Sequence, residues 1–328
     1  MTSFKAFWVE KSEDSVNHSI IERSIDDLPE GEVLIKVRYS SLNYKDALSA
    51  KGMPGVTRNY PHTPGIDAAG TVVESSNGDF KEGDEVVVIG FDLGMNTPGG
   101  YGEYIRVPGS WITPLPSGMG LRDSMIIGTA GLTAALCFDK LLRMGAKPDD
   151  GPVVVTGATG GVGSVAVALL ASQGFEVVAS TGKADKHDYL KSLGASSVVD
   201  RDQLGAENPR PVAAEDYAHG VDTVGGETLS NVIKGLKHSG SVAICGLVSS
   251  PAFNITVLPF ILRHVNVLGV DSVELPIAEK SRVWGRLASD WQVPGLEDMV
   301  VEIGLGGLSA EIDRIFAGGV TGRTLVVL

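Results

Sequence analysis

Cysteine is almost missing from this chain: Cys137 and Cys245 are the only two in 328 residues. That excludes a disulfide framework and a four-cysteine zinc lobe. With no C-x-x-C spacing, it fits a reducing compartment. Cations are in deficit, with 27 Lys and Arg against 40 Asp and Glu and a net charge of −13. Such a balance argues against nucleic acid or an anionic membrane as partner, while leaving room for a local basic pocket. The N-terminal stretch MTSFKAFWVEKSED is charged and runs into no apolar segment, so no signal peptide is expected. In the glycine-rich region the longest apolar run, Val165–Ala171, is too short to cross a bilayer. Repeats and low-complexity tracts are absent. These absences together predict a cytoplasmic protein.

What is present describes a globular chain, 43% apolar and 20% charged. Its length suggests two domains at about 150 residues each. Residues 1–124 read as β-rich. Val33, Ile35 and Val37 alternate as in a half-buried strand, and AAGTVVES and GDEVVVIG are separated by the turn cluster NGDFKEGD. From Met125 onward the character changes. A helical stretch ending at Gly145 leads into alternating strands and helices: PVVVTG, GVGSVAVALLASQG, FEVVAST, KADKHDYLKSLGA, SSVVD, GVDTVGG, ETLSNVIKGLKHSG, GSVAICGLV. Alternation of this kind predicts right-handed crossovers and a parallel, doubly wound sheet. NVLGVDSV is a candidate sixth strand, followed by helices near IAEKSRVWGRLASDW and AEIDRIFAGG and a last strand, RTLVVL.

Ala158, Gly160 and Gly163 spell A-x-G-x-x-G between a predicted strand and a predicted helix. A tight turn, a bare backbone where a pyrophosphate approaches and a small residue at the helix–strand contact are what a dinucleotide needs. Thr159, Gly160, Gly161 and Val162 would then present the turn and the helix start to the phosphates. The next strand decides which dinucleotide. An NAD site places Asp or Glu at its end, on the ribose 2′-hydroxyl. Here the residues are Ser180, Thr181, Gly182 and Lys183. Hydroxyls, a glycine and an ammonium suit a 2′-phosphate, so NADPH is the expected cofactor.

The segments SSLNYKDALSAKG, PGIDAAGTVV, GDEVVVIG, MIIGTAGLTAAL, VVVTGATGGVGSVAVALL, YLKSLGA, DTVGGETL and TGRTLVVL occur in that order. Over essentially its whole length the chain resembles the medium-chain dehydrogenase/reductase superfamily. YSSLNYKDAL, MIIGTAGLTA and PFILRHVNVLGVDSV resemble more narrowly its YhdH/AcuI-type branch, the acrylyl-CoA reductases. The resemblance implies an α/β protein. Its β-rich, GroES-like catalytic domain would comprise 1–124 and 295–328, and its Rossmann domain 125–294. It implies a homodimer built on NVLGVDS. Zinc-dependent relatives carry a Cys and a G-H-E motif; this chain has no Cys before Asn43 and reads Gly65-Ile66-Asp67, so no metal is expected.

By the same resemblance Asn43 and Tyr44 are candidate catalytic residues. Asn43 would offer an amide N–H; Tyr44 would contact the cofactor or supply a proton. Thr129, Cys245, Gly246, Leu247 and Arg323 are candidate cofactor contacts. A CoA substrate needs cations, and Arg58, in the loop GVTRNYPHTPG, is the substrate-binding candidate. Three readings stay open: an NADPH-dependent enoyl-CoA reductase, a zinc-free quinone or enone reductase, and an NADPH-binding sensor without turnover.

Overall fold

Strand Val33–Leu42 is buried on both sides. Val33, Ile35 and Val37 join Ala68, Val72, Val86, Val88 and Ile105 in one core. Leu34 points the other way, onto Phe4, Ala6 and Leu28. The strand therefore sits at the centre of a seven-stranded, mostly antiparallel sheet. Its neighbours in order are Val300–Gly304, Arg323–Val327, Val33–Leu42, Asp67–Ser75, Glu85–Ile89 and Ile112–Pro114, with Tyr104–Val107 also pairing with the central strand. Ser3–Lys11 and Val16–Ser24 form a separate antiparallel hairpin.

In this computed structural model, which describes residues 2–328, the chain divides into two units. The β-rich one holds the residues up to Thr129, Ser272–Ala288 and Leu296–Leu328; the other holds Ala130–Asp271 and Ser289–Gly295. The expected boundary at 294 therefore shifts: 272–288 packs with the β-rich unit. Within it, helix Ile277–Leu287 buries Val283, Trp284 and Leu287. Fully buried Lys280 donates from Nζ to Ile89 O at 2.8 Å and Val273 O at 2.7 Å. The same ammonium lies 3.5 Å from the centre of the Phe91 ring. Trp291 belongs to the other unit, against Phe138 at 5.2 Å between ring centres.

The second unit is the doubly wound domain. Six parallel strands lie in the order Ser197–Asp200, Val177–Thr181, Val153–Val155, Tyr217–Asp222, Leu236–Ile244, Asn266–Gly269. Helix Gly161–Ser172 buries every residue from Gly163 to Leu170, as a helix of small and aliphatic residues against a sheet should. The helix expected to run through KGLKHSG stops at Lys234. Leu236 is buried with Val232, Ile233 and Val242, and its pairing with Tyr217 starts the strand Leu236–Ile244 there.

Helix Leu121–Arg143, which begins four residues before the helical stretch read from Met125, is long and apolar enough to cross a membrane. Its most apolar window is 83% buried inside the protein, so it serves here as a core helix. Gly128, at φ 52° and ψ −161°, breaks it near its first third.

Candidate functional site

The glycine turn follows strand Val153–Val155. Gly157, at φ 58°, turns the chain. A Cβ on Gly163 would come 2.7 Å from the Ala158 Cα, so this position is closed by helix–strand packing. A Cβ on Gly160 would meet only Gly157 O, at 3.3 Å. That opening above Gly160 suits a pyrophosphate, and helix Gly161–Ser172 starts beside it with Gly161 and Val162 half-buried. Thr159 is buried, its hydroxyl 3.3 Å from that of Thr181.

Strand Val177–Thr181 ends with Ser180 and Thr181 buried and Gly182 exposed. Lys183 donates its backbone N–H to Thr181 Oγ1 at 3.1 Å. One cation was missed in the sequence. The Arg201 side chain lies over Gly182, with Nε 2.5 Å and Cζ 2.8 Å from where a Cβ would stand. It is 74% exposed. Arg201 is 18 residues from Lys183 in the chain, and only the pairing of Ser197–Asp200 with Val178–Thr181 brings it there. An acid also lies close, since Asp200 pairs with Thr181. Its carboxylate caps the next helix, accepting from Asp202 N at 2.8 Å, and Asp202 Oδ1 lies 3.8 Å from Arg201 Nε, so carboxylates accompany the two cations at this corner. Cys245, Gly246 and Leu247 follow strand Leu236–Ile244 on the same carboxyl edge of the sheet. Cys245 is half-buried, its Sγ 3.5 Å from Asp222 O, and Leu247 is 62% exposed.

In the β-rich unit the broken helix gathers the remaining candidates. A break frees backbone groups that a continuous helix would pair. Ile126 O accepts from Arg323 Nε at 2.8 Å, and Thr129 N donates to Asp67 Oδ2 at 2.9 Å. The Thr129 hydroxyl donates to Asp67 Oδ1 at 2.5 Å. Asp67 also accepts from Ser41 Oγ, and from Asn43 Nδ2 at 2.8 Å. Glycine is required at 128: a Cβ would lie 2.5 Å from Ser41 Oγ, 2.6 Å from Asp67 Oδ2 and 2.7 Å from Arg323 Nη2.

Asn43 is turned inward. Nδ2 faces Asp67 Oδ2 at 2.8 Å and Asp46 Oδ2 at 3.3 Å, and Oδ1 accepts from Arg323 Nη1 at 3.4 Å. An amide with both hydrogens on carboxylates has none for a substrate, which corrects the expectation that it would donate one. Arg323 is likewise corrected as a direct cofactor contact. It is 2% exposed, and its donors go to Ile126 O, Leu42 O, Asn43 Oδ1 and Ser41 Oγ. Asp46, unremarked as a charge centre in the sequence, accepts from Asn43 N at 2.9 Å and Ile66 N at 2.8 Å. Burial first, and then the neighbouring Asp67, raise its pKa to about 7. Burial pulls Arg323 below its ordinary value, against the pull of Asp67, Tyr101 and Asp46.

Tyr44, by contrast, faces outward. It opens helix Tyr44–Ala50, is 37% exposed, and stacks on Phe316 at 6.3 Å and 11°. Arg58 is exposed on its loop, tied through its backbone N–H to Asn96 Oδ1 at 3.1 Å.

Residues 29–117 match the family described as alcohol dehydrogenase GroES-like domain, and 161–289 the one described as zinc-binding dehydrogenase. The acrylyl-CoA reductase AcuI of Ruegeria pomeroyi is 45% identical over 98% of this chain and 98% of its own. The chain belongs to the medium-chain dehydrogenase/reductase superfamily. It is thereby an oxidoreductase. Solved members of the superfamily superpose closely. The YhdH oxidoreductase of Salmonella enterica, in complex with NADP, has a TM-score of 0.96 at 43% identity, with 99% of each chain covered. YhfP of Bacillus subtilis, solved with NAD bound, has 0.97 at 43% with 100% of each covered. YhfP is provisionally named a quinone oxidoreductase.

The zinc of the second family description does not suit the residues here. Among the described residues no three His, Cys, Asp or Glu side chains cluster as metal ligands. Both cysteines lie in the parallel-sheet unit. Asp67, in the place of the superfamily's G-H-E glutamate, already takes four donors from Ser41, Asn43 and Thr129.

Proposed function

We propose that the protein is an NADPH-dependent reductase of the carbon–carbon double bond of a small enoyl-CoA, acrylyl-CoA to propionyl-CoA above all. The observation that carries the substrate is the full-length match to AcuI, whose name states that activity. The observation that supports NADPH is the pair of cations, Lys183 and Arg201, beside Gly182 at the end of strand Val177–Thr181, which itself carries no carboxylate for a ribose. Thr159, Gly160, Gly161 and Val162 would hold the pyrophosphate, Ser180 to Lys183 with Arg201 the 2′-phosphate, and Cys245 to Leu247 the neighbouring edge. When bound, the cofactor supplies a hydride to the electron-poor β-carbon.

The chain's own work is then binding, orientation and one proton. Tyr44 is the proton donor or oxyanion partner in this reading, because its ring stands at the surface while Asn43 beside it is committed to carboxylates. Arg58 is the proposed contact for the CoA phosphates. The strand Asn266–Gly269 ends the parallel sheet, and Val257, Ile261 and Leu262, shortly before it in the chain, are 66%, 69% and 61% exposed. An uncovered strand edge beside apolar side chains is a pairing surface, and the proposed occupant is a second copy.

The name of YhfP favours a second reading, reduction of quinones or simple enones by the same hydride step. NADPH oxidation with acrylyl-CoA, crotonyl-CoA, a benzoquinone and an enone separates them. The proposal expects the highest kcat/KM with acrylyl-CoA. A quinone far ahead of every thioester would replace it, and saturable NADPH binding with no turnover on the panel would leave a sensor.

A further inference from the structure

We propose that Arg323 is the resident cation of the site, a positioning residue whose guanidinium fills an all-oxygen pocket and so holds Asp67, Asn43 and Thr129 in working order. Its kinetic arm rests on the reductase reading; its binding and stability arms do not. Nε and both Nη atoms are met by oxygens from separate parts of the unit: Ile126 O at 2.8 Å, Leu42 O at 3.4 Å, Asn43 Oδ1 at 3.4 Å and Ser41 Oγ at 3.0 Å. Ser41 passes the contact on, accepting from the guanidinium and donating to Asp67.

Two carboxylates, Asp46 and Asp67, are fully buried with this one cation, and the phenol of Tyr101 joins them through Ser41 O at 3.2 Å. A hydrocarbon at 323 would take a donor from two carbonyls, a hydroxyl and an amide oxygen, and would leave two buried carboxylates without a nearby cation. Buried ionic groups often give way to hydrocarbon without loss of stability when a whole cluster is replaced. Packing alone therefore does not demand an arginine here. What the cation organises is specific: Asn43 precedes Tyr44, and Thr129 restarts the helix after its break. Arg323 is too buried, at 2% exposure, to reach a ligand itself. It acts through the groups it holds.

Three full-length variants test this: Arg323→Lys, Arg323→Met, and Arg323→Met combined with Asp46→Asn. NADPH affinity is read by fluorescence titration, kcat and its pH profile by NADPH oxidation, and folding by thermal melting. A side chain displaced by about 1 Å can lower a rate about a hundredfold, and that loss of kcat is expected for Met, with NADPH affinity within about threefold of wild type. Lys, keeping the charge but losing the fork, should retain more of kcat than Met. The acid limb of the Met profile should move to higher pH, because Asp46 holds its proton more tightly without the cation. Should Met fail to fold, the double variant, which removes one excess carboxylate, is expected to fold and to bind NADPH.

Wild-type kcat and pH profile in Met, a fall of NADPH affinity as large as that of kcat, or a double variant no better folded than an unfolded Met variant would each overturn the proposal. If the wild type ignores acyl-CoA, the same rates are measured with the enone or quinone it does reduce. A wrong substrate is thus told apart from a wrong role for Arg323.

Discussion

Charge at two side chains, half-buried Lys183 and exposed Arg201, should decide the cofactor. Lys183 and Arg201 flank Gly182 at the end of strand Val177–Thr181, which carries no carboxylate to oppose a 2′-phosphate. A charge-assisted hydrogen bond contributes about 1.5–3 kcal/mol. Arg201 is 74% exposed, so the lower end, about tenfold, is expected for each single alanine substitution. The ratio of kcat/KM for NADPH over NADH checks this, and Lys183→Ala with Arg201→Ala together should bring it near unity. Tyr44→Phe, which removes the hydroxyl and keeps the Phe316 stack, should lower kcat about a hundredfold to ten-thousandfold and leave the melting temperature unchanged. Of these proposed residues the sequence pointed to Lys183 and Tyr44, through a motif and a resemblance. It hid Arg201, which reaches Gly182 only through the pairing of two strands. It also misdirected Asn43 and Arg323: which way a side chain turns is settled by neighbours 24 to 282 residues away.

A helix that begins in one unit and ends in the other breaks at Gly128. Gly128→Ala needs φ near 52° and puts a methyl within 2.7 Å of three polar atoms. Left-handed backbone costs about 1–2 kcal/mol and overpacking about 1–3 kcal/mol, so a loss of roughly 2–5 kcal/mol in urea unfolding is expected. A loss below about 0.5 kcal/mol, the range of neutral surface changes, would show that the site relaxes freely. The strands and helices of the parallel sheet were legible, since each carries its own period and its own glycine stop. The break was not: GTAGLTAAL is helical in pattern, and only the ion cluster beneath it explains the interruption. Ser272–Ala288 was assigned to the wrong side for a similar reason. No local signal tells that Lys280 will be held by Ile89 O.

For the molecule as a whole, stability should depend on pH from two directions. Asp46 is raised from 3.8 to about 7, so the folded state binds its proton more tightly than the unfolded chain. Its contribution is full below the ordinary carboxylate range and is lost as pH rises through about 7. Asp150 is lowered, chiefly by its hydrogen bond from His219. Its contribution is present above the ordinary range and is lost as pH falls through the depressed value. Urea unfolding from pH 3 to 9 should therefore show a maximum at mildly acidic pH, and a wild-type stability that keeps rising through pH 8 would contradict the Asp46 assignment. Chelators should change neither melting temperature nor turnover, because the oxygens of Asp67 are already taken by protein donors.

Lys280 has a use beyond packing. Its ammonium is hidden at 1% exposure beneath Phe91 and between two carbonyls, so an amine-directed reagent cannot reach it while the β-rich unit is closed. The rate at which it is labelled, followed by mass spectrometry beside the surface lysines, becomes a clock for opening of that unit. A cofactor or substrate that binds only the folded state should slow that clock in proportion to its occupancy.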